Sequence, residues 1–288
     1  MKLVVVRSGI AIPEVQERHV EGVCAIAKEA GLEVARPATR EDELIAEADA
    51  EIAFGGLRPD LYTYARQLRW VQTVGAGVDA YLKGKFVEDD AVLTSEKGAV
   101  GVHLAEHAFA LLLTLTRGVA IAIRGRRWDT RIDIRKRSWE LTGRTAGLVA
   151  LGGTGVAIAR RARAFDMRVI AVDPESAAPP AEVEACWGLD RFYDLLGQSD
   201  VVFVSAPLTA RSRRMFDAAA FAAMKPDSVL INVSRGEIVD GDAVLTALDS
   251  GHVRAAGLDV TPEEPLPPES LLWDHPHVVV TPRTAVQP

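Results

Sequence analysis

An α/β protein with parallel sheets is predicted by three features of the chain. Short apolar runs alternate with segments of helical periodicity through most of the 288 residues. A glycine turn, Gly147-Leu-Val-Ala-Leu-Gly-Gly-Thr-Gly155, opens the denser second half of this alternation. The next apolar run, Met167-Arg-Val-Ile-Ala-Val, ends in a carboxylate, Asp173.

Taken in order, residues 3–6, 51–54, 70–74 and 91–94 have the composition of short strands, and stretches between them, such as residues 13–30, space their apolar residues as helices do. They predict a smaller, flavodoxin-like α/β domain over residues 1–94. A long helix is expected from about Leu104 to Arg124, then a basic loop with Trp128 and Trp139. Strands follow at 145–151, 168–172, 201–205, 229–233, 255–258 and 278–281, separated by helical patterns. This is the grammar of a doubly wound, Rossmann-type sheet, expected over residues 95–282 with the linking helix included; 283–288 remain as a C-terminal segment. The proline-rich stretches 174–180 and 262–268 are loops within that sheet.

The glycine turn has a chemical reading. Gly152 lets the backbone approach a pyrophosphate and Gly155 lets the helix pack closely on the sheet, while Gly153 and Thr154 belong to a helix N-terminus whose free N–H groups face the phosphates. Asp173 can accept hydrogen bonds from a ribose diol and would repel a 2′-phosphate, and Pro174-Glu175 supplies no arginine against that repulsion. NAD is therefore expected over NADP. Ala150 stands where the fingerprint has its first glycine, and a negative φ is expected there.

The net charge of -7 argues against nucleic-acid and anionic-membrane partners, which need clustered positive charge. The one basic run, Arg126, Arg127, Arg131, Arg135, Lys136 and Arg137, reads as a solvated or subunit-facing arm. Cys24 and Cys186 form no disulfide framework and have no metal-ligand spacing, so no metal is expected and a reducing cytoplasm fits. Apolar runs at 3–6 and 108–115 are too short for a signal-peptide core or for the ~18 residues of a membrane span, which predicts a soluble protein. The apolar helix after Leu104 and the arm ending near Arg137 are expected to pair two subunits.

Three segments fall just past predicted strand ends: Ser205-Ala-Pro-Leu-Thr209, Asn232-Val-Ser-Arg-Gly-Glu-Ile-Val-Asp240 and Gly257-Leu-Asp-Val-Thr-Pro-Glu-Glu-Pro-Leu266. With Gly75-Ala-Gly-Val-Asp79 and Val280-Thr-Pro282, they resemble the D-isomer-specific 2-hydroxyacid dehydrogenase family, in particular its glyoxylate/hydroxypyruvate reductases. The resemblance implies an NAD-dependent enzyme that interconverts a small 2-oxo acid and a D-2-hydroxy acid. It implies that Arg235 grips the substrate carboxylate and keto oxygen, a task suited to a planar guanidinium, with the amides of Gly75, Ala76 and Gly77 on the other side. Pro207, Val233 and Ser234 would line the cofactor cleft, Asp259 would lie near the nicotinamide amide, and the loop of Phe54, Gly55, Gly56, Leu57 and Arg58 would touch the substrate's R-group.

Glu264 matches the acid that polarises the family's proton-donating histidine. That histidine follows the last Thr-Pro, where this chain has Arg283. Arginine can stabilise a developing alkoxide but cannot donate the proton, and losing a general acid costs about 10²–10⁴ in rate. His275 and His277 precede the same strand and should lie roughly 15–25 Å away, at its wrong end. His103 and His107 read first as capping or interface residues of their helix and only second as substitutes. Family members continue past the last strand into a helix that returns to the first domain, an element expected to be missing beyond Pro288. The alternative reading is a catalytically weakened NAD-binding protein with a sensor or interaction role.

Overall fold

The computed structural model describes residues 1–6, 13–55, 65–79, 81, 86–87, 90–175 and 178–285. It divides into two compact units, Met1–Ala99 and Val100–Pro288. The chain leaving the first sheet stays tied to it, since Gln72 Nε2 donates to Glu96 Oε1 at 3.4 Å.

The first unit contains β1 (Lys2–Val5), α1 (Pro13–Glu29), β2 (Glu33–Ala35), α2 (Arg40–Glu47), β3 (Ile52–Phe54), β4 (Trp70–Gln72) and β5 (Val92–Thr94). The strands are parallel in the order β2-β1-β3-β4-β5, the flavodoxin-like arrangement. Leu3 and Val5 pack with Val20, Cys24 and Ala27 of α1, while Val4 faces Ala53 and Val71 on the other side, so β1 is apolar on both faces. Strand β2 is absent from the sequence expectation. Glu33 is exposed and Val34 and Ala35 are only half-buried at the sheet edge, a run too short to impose an alternation, and pairing to β1 defines it.

The second unit contains α3 (Gly101–Thr116), α4 (Val119–Gly125), α5 (Arg131–Arg137), β6 (Thr145–Val149), α6 (Gly153–Ala164), β7 (Arg168–Val172), β8 (Ala185–Trp187), α7 (Phe192–Gln198), β9 (Val201–Val204), α8 (Ala218–Ala223), β10 (Ser228–Asn232), α9 (Gly241–Asp249), β11 (Val253–Leu258), α10 (Leu271–Asp274) and β12 (Val278–Val280). Its seven parallel strands run β12-β11-β10-β9-β6-β7-β8, the doubly wound order, with the direction of winding reversing between β6 and β9. One face is covered by α3 and α6 through Phe109, Leu112 and Ile158; the other by α7, α8 and α9 through Leu195, Phe221 and Val244.

Two expectations need correction here. The long helix is broken: α3 and α4 meet at 67° across Arg117 and Gly118, with Gly118 left-handed at φ 69°. A Cβ on Gly118 would lie 2.9 Å from Ile134 Cγ2, so the turn depends on the α5 side chain that packs against it. The basic loop is likewise partly helical, forming a 3-10 turn at Trp128–Thr130 and then α5, whose Ile132 and Ile134 are too sparse among arginines to signal a helix. Among the described residues no single helix is long and apolar enough to cross a membrane.

At the amino ends of the central strands, Asp200 accepts from Thr145 N at 2.8 Å and from Lys225 Nζ at 2.7 Å, with Arg144 at 3.4 Å. Burial pushes this carboxyl up, but the hydrogen bonds from Lys225 and Thr145 outweigh it and hold the group below its ordinary value. A carboxylate depressed in the folded state stabilises above the unfolded pKa and loses that contribution as pH falls through the folded one. Asp200→Asn is therefore expected to lower stability at pH 7 by about 1–3 kcal/mol in urea unfolding, with the gap to wild type closing in acid below about 3.9.

Candidate active site

The glycine turn connects β6 to α6. Ala150 N donates to Val172 O at 2.9 Å and Leu151 N to Asp173 Oδ2 at 2.7 Å, so Asp173 at the end of β7 holds the turn directly. Its other oxygen accepts from Glu175 N at 2.7 Å. A Cβ on Gly155 would lie 2.3 Å from Ala150 O, whereas one on Gly152 would meet nothing within 4 Å. Gly155 thus seats the helix on the strand, and Gly152 faces open space into which a phosphate could come close.

Ala150 adopts φ +79°, against the negative value expected. Its carbonyl is fixed from outside the turn: Ser205 Oγ donates to it at 3.0 Å and the bare Cα of Gly155 packs against it. The left-handed conformation costs an L-residue roughly 1–2 kcal/mol. Ala150→Gly is accordingly expected to stabilise the fold by about 0.5–1 kcal/mol, read as a higher Tm.

The N-terminus of α3 abuts this turn, since a Cβ on Gly101 would lie 2.8 Å from Gly153 O. The first N–H groups of α6, at Gly153, Thr154 and Gly155, lack helical acceptors by construction and suit an anion. Open space at Gly152, these donors and the Asp173 carboxylate fit a dinucleotide.

Three loops follow the carboxyl ends of β9, β10 and β11. After β9, Pro207 is exposed and its carbonyl accepts from Ser212 Oγ at 2.7 Å, which closes the turn. After β10, the fully buried Asn232 accepts from Ser234 N and Oγ, both at 3.1 Å, and donates to Arg235 O at 3.0 Å. Val233 is buried and Ser234 half-buried. Arg235 is half-buried, with one guanidinium nitrogen on Ser234 O at 2.8 Å. Gly236 sits against the loop after β11: a Cβ there would lie 1.7 Å from Thr261 O. Asn232, Ser205 and Gly236 lie in the segments that the sequence singled out but carried no role of their own there; a polar residue ending an apolar strand was the available signal for the first two.

After β11, Thr261 N donates to Glu264 Oε1 at 3.2 Å, and the Arg283 guanidinium donates to Glu264 Oε2. Glu264 and Arg283 thus form an ion pair. Asp259, 2% exposed, has partners of its own. Thr281 Oγ1 donates to Oδ1 at 2.7 Å, Thr284 N to Oδ1 at 2.9 Å and Ala285 N to Oδ2 at 3.1 Å, and His107 Nε2 lies 3.2 Å from Oδ1. Burial raises this carboxyl, but His107, Thr281 and the two amides together hold it below its usual range. Asp259 therefore organises the chain after β12, where the sequence pointed only to a nicotinamide contact. His107, in the second turn of α3, caps no helix end; it belongs to this cluster.

In the first unit, Gly75, Ala76 and Gly77 follow the carboxyl end of β4. Thr73 Oγ1 donates to Gly75 O at 2.7 Å and Thr73 N to Thr94 O at 2.9 Å, and these bonds hold the loop. The amides of Gly75, Ala76 and Gly77 have no acceptor among the described residues. Gly56, Leu57 and Arg58 lie outside the described residues; Phe54 ends β3 and Gly55 follows it at φ +105°.

A doubly wound parallel sheet, a glycine turn at its switch point and an acid closing the second strand define a dinucleotide-binding protein of the Rossmann class. Residues 109–285 match the family model for the NAD-binding domain of D-isomer specific 2-hydroxyacid dehydrogenases, and the chain belongs to that family. It is 32% identical to the glyoxylate reductase of Pyrococcus furiosus, over 83% of this chain and 74% of that one. It is 34% identical to the D-3-phosphoglycerate dehydrogenase of Bacillus subtilis, over 77% of this chain but 42% of that longer protein. Among solved structures, the NADPH-dependent glyoxylate/hydroxypyruvate reductase of Sinorhizobium meliloti, in complex with NADP and sulfate, superposes with a TM-score of 0.82 at 28% identity, covering 99% of this chain and 89% of that one. The chain spans about half the length or less of several phosphoglycerate dehydrogenases that it matches.

Proposed function

We propose that this chain is an NAD-dependent oxidoreductase that interconverts a small 2-oxo acid and the corresponding D-2-hydroxy acid. The observation that carries the reading is Arg235, a half-buried guanidinium braced past the carboxyl end of β10 by the Asn232 hydrogen bonds, on the side of the sheet where such folds bind ligands. Its planar fork suits a carboxylate beside a carbonyl oxygen. The first unit offers anion donors of its own, the Gly75, Ala76 and Gly77 amides. Pro207, Val233 and Ser234 line the cofactor cleft, and Asp259 stands at its nicotinamide end. The bound dinucleotide supplies the hydride.

NAD is preferred to NADP, because Asp173 would face a 2′-phosphate with like charge and Pro174-Glu175 offers no compensating cation. Glyoxylate and hydroxypyruvate are the first substrates to try, a choice supported by the names of the Pyrococcus and Sinorhizobium relatives. The active form is a homodimer paired through α4 and α5, whose Ile123, Ile132 and neighbouring Trp128, 84% exposed, present apolar surface to solvent. Cys24 and Cys186 form no disulfide with each other, which suits a reducing cytoplasm.

One observation favours a second reading, a binding protein with little turnover: Glu264 is already ion-paired with Arg283. NADH oxidation against a panel of 2-oxo acids, with calorimetric titration of NADH and NADPH, tests both. Turnover with NADH supports the enzyme, and tight NADH binding without turnover supports the second reading. Equal or tighter NADPH binding removes the cofactor assignment, and a monomer at micromolar concentration in sedimentation removes the dimer.

A further inference from the structure

The proposed reduction needs a proton for the substrate's carbonyl oxygen, and neither Arg283 nor the Glu264 paired to it is suited to give one. Of the six histidines, His252, His275 and His277 precede β11 and β12, at the amino ends of those strands, and His19 lies in the first unit. His107 is placed differently. Its Nε2 lies 2.8 Å from Thr281 Oγ1 and 3.2 Å from Asp259 Oδ1, and these two residues directly follow β12 and β11. The ring therefore stands at the carboxyl ends of the strands, where ligands enter such sheets, and its partner Thr281 is two positions from Arg283.

The hydrogen bonds also fix its tautomer. An ionised Asp259 only accepts, so the Thr281 hydroxyl, 2.7 Å away, donates to it and turns a lone pair towards His107. Nε2 then carries a hydrogen, shared between Thr281 Oγ1 and Asp259 Oδ1. Nδ1 is left with the lone pair, and it has no protein partner among the described residues while the side chain is 21% exposed. The surrounding ionisable groups are accounted for. Arg283 holds Glu264, Glu106 holds Arg161 of α6 at 2.9 Å, and His103, one turn earlier on α3, has a buried Nδ1 with no partner among the described residues.

We propose that His107 is the acid–base residue of this enzyme, anchored through Nε2–H on Thr281 and Asp259 and exchanging its proton with the substrate oxygen through Nδ1. The inference rests on the reductase reading above. In the reducing direction the carbonyl carbon gains a hydride from the reduced nicotinamide, the C=O π pair moves to oxygen, and that oxygen takes the proton from Nδ1–H. The products are a hydroxy acid, an oxidised dinucleotide and a neutral imidazole, which regains its proton from water.

The test compares wild type, His107→Gln, Thr281→Val and Arg283→His. His107→Gln is expected to lower kcat by about 10²–10⁴ and to remove the imidazole inflection from the pH profile, with the binding of NADH and of oxamate little changed. Without cofactor, ¹⁵N NMR should find His107 as the Nε2–H tautomer in wild type and, held by Asp259 Oδ1 alone, in Thr281→Val. A His107→Gln enzyme with wild-type kcat and pH profile overturns the assignment, as does a His107 locked in the Nδ1–H form. A rise of 10-fold or more in kcat for Arg283→His overturns it too, because it would mean that the proton was missing and not supplied from elsewhere. If NADH binds but neither wild type nor Arg283→His reduces any 2-oxo acid, the reductase reading itself fails and this inference falls with it.

Discussion

Arg235→Gln lowers kcat/KM for the best 2-oxo acid by about 10²–10³, the loss expected when a desolvated carboxylate gives up its charged partner. The effect is large because the guanidinium is preorganised before substrate arrives. Asn232 fixes the backbone on both sides of Ser234, and Ser234 O takes one guanidinium nitrogen at 2.8 Å, so little side-chain freedom is lost on binding. Arg235→Lys recovers only part of the loss, since an ammonium cannot make the paired, coplanar contacts of a guanidinium. NADH affinity, measured by fluorescence titration, stays near wild type in both variants, because the turn after β6 is held by Asp173 and Ser205. A matching loss of NADH affinity would assign Arg235 to the cofactor.

The features legible in the sequence are those whose chemistry is local. Gly152, Gly155 and Asp173 announce a strand, a turn and a second strand because each residue type is required where it stands. The order of motifs from Gly75 to Pro282 was sufficient for the family. What failed was set from a distance. The sign of φ at Ala150 depends on a hydroxyl from Ser205, 55 positions on, and the break at Gly118 on a side chain of α5. Strands β2 and β8 have three residues each at sheet edges, where pairing rather than pattern defines them. At the site, Arg283 was legible as a departure, but its pairing with Glu264 was not. The bond from His107 to Thr281 spans 174 positions, and no spacing rule reaches that far.

Gly236→Ala is expected to damage both stability and chemistry, and the reason separates it from the cofactor glycines. The added Cβ would fall 1.7 Å from Thr261 O, 2.1 Å from its carbonyl carbon and 2.8 Å from Pro262 N, all backbone atoms that no rotamer change can clear. The loops after β10 and β11 must then separate, which costs about 3 kcal/mol or more in urea unfolding. Because Arg235 precedes this contact and Glu264 follows it, the same separation pulls apart the two sides of the proposed acid-binding site, and kcat/KM is expected to fall even where the variant remains folded. Gly152→Ala behaves oppositely. Its Cβ meets nothing within 4 Å and φ is already -72°, so the fold loses no more than about 1 kcal/mol at the helix cap. The methyl group instead occupies the space at the start of α6 that a pyrophosphate would need, and calorimetry should show NADH binding weakened by tenfold or more, about 1.4 kcal/mol. A Gly152→Ala protein that binds NADH normally would place the phosphates away from this turn, and a Gly236→Ala protein of wild-type stability would mean that the two loops are not in contact.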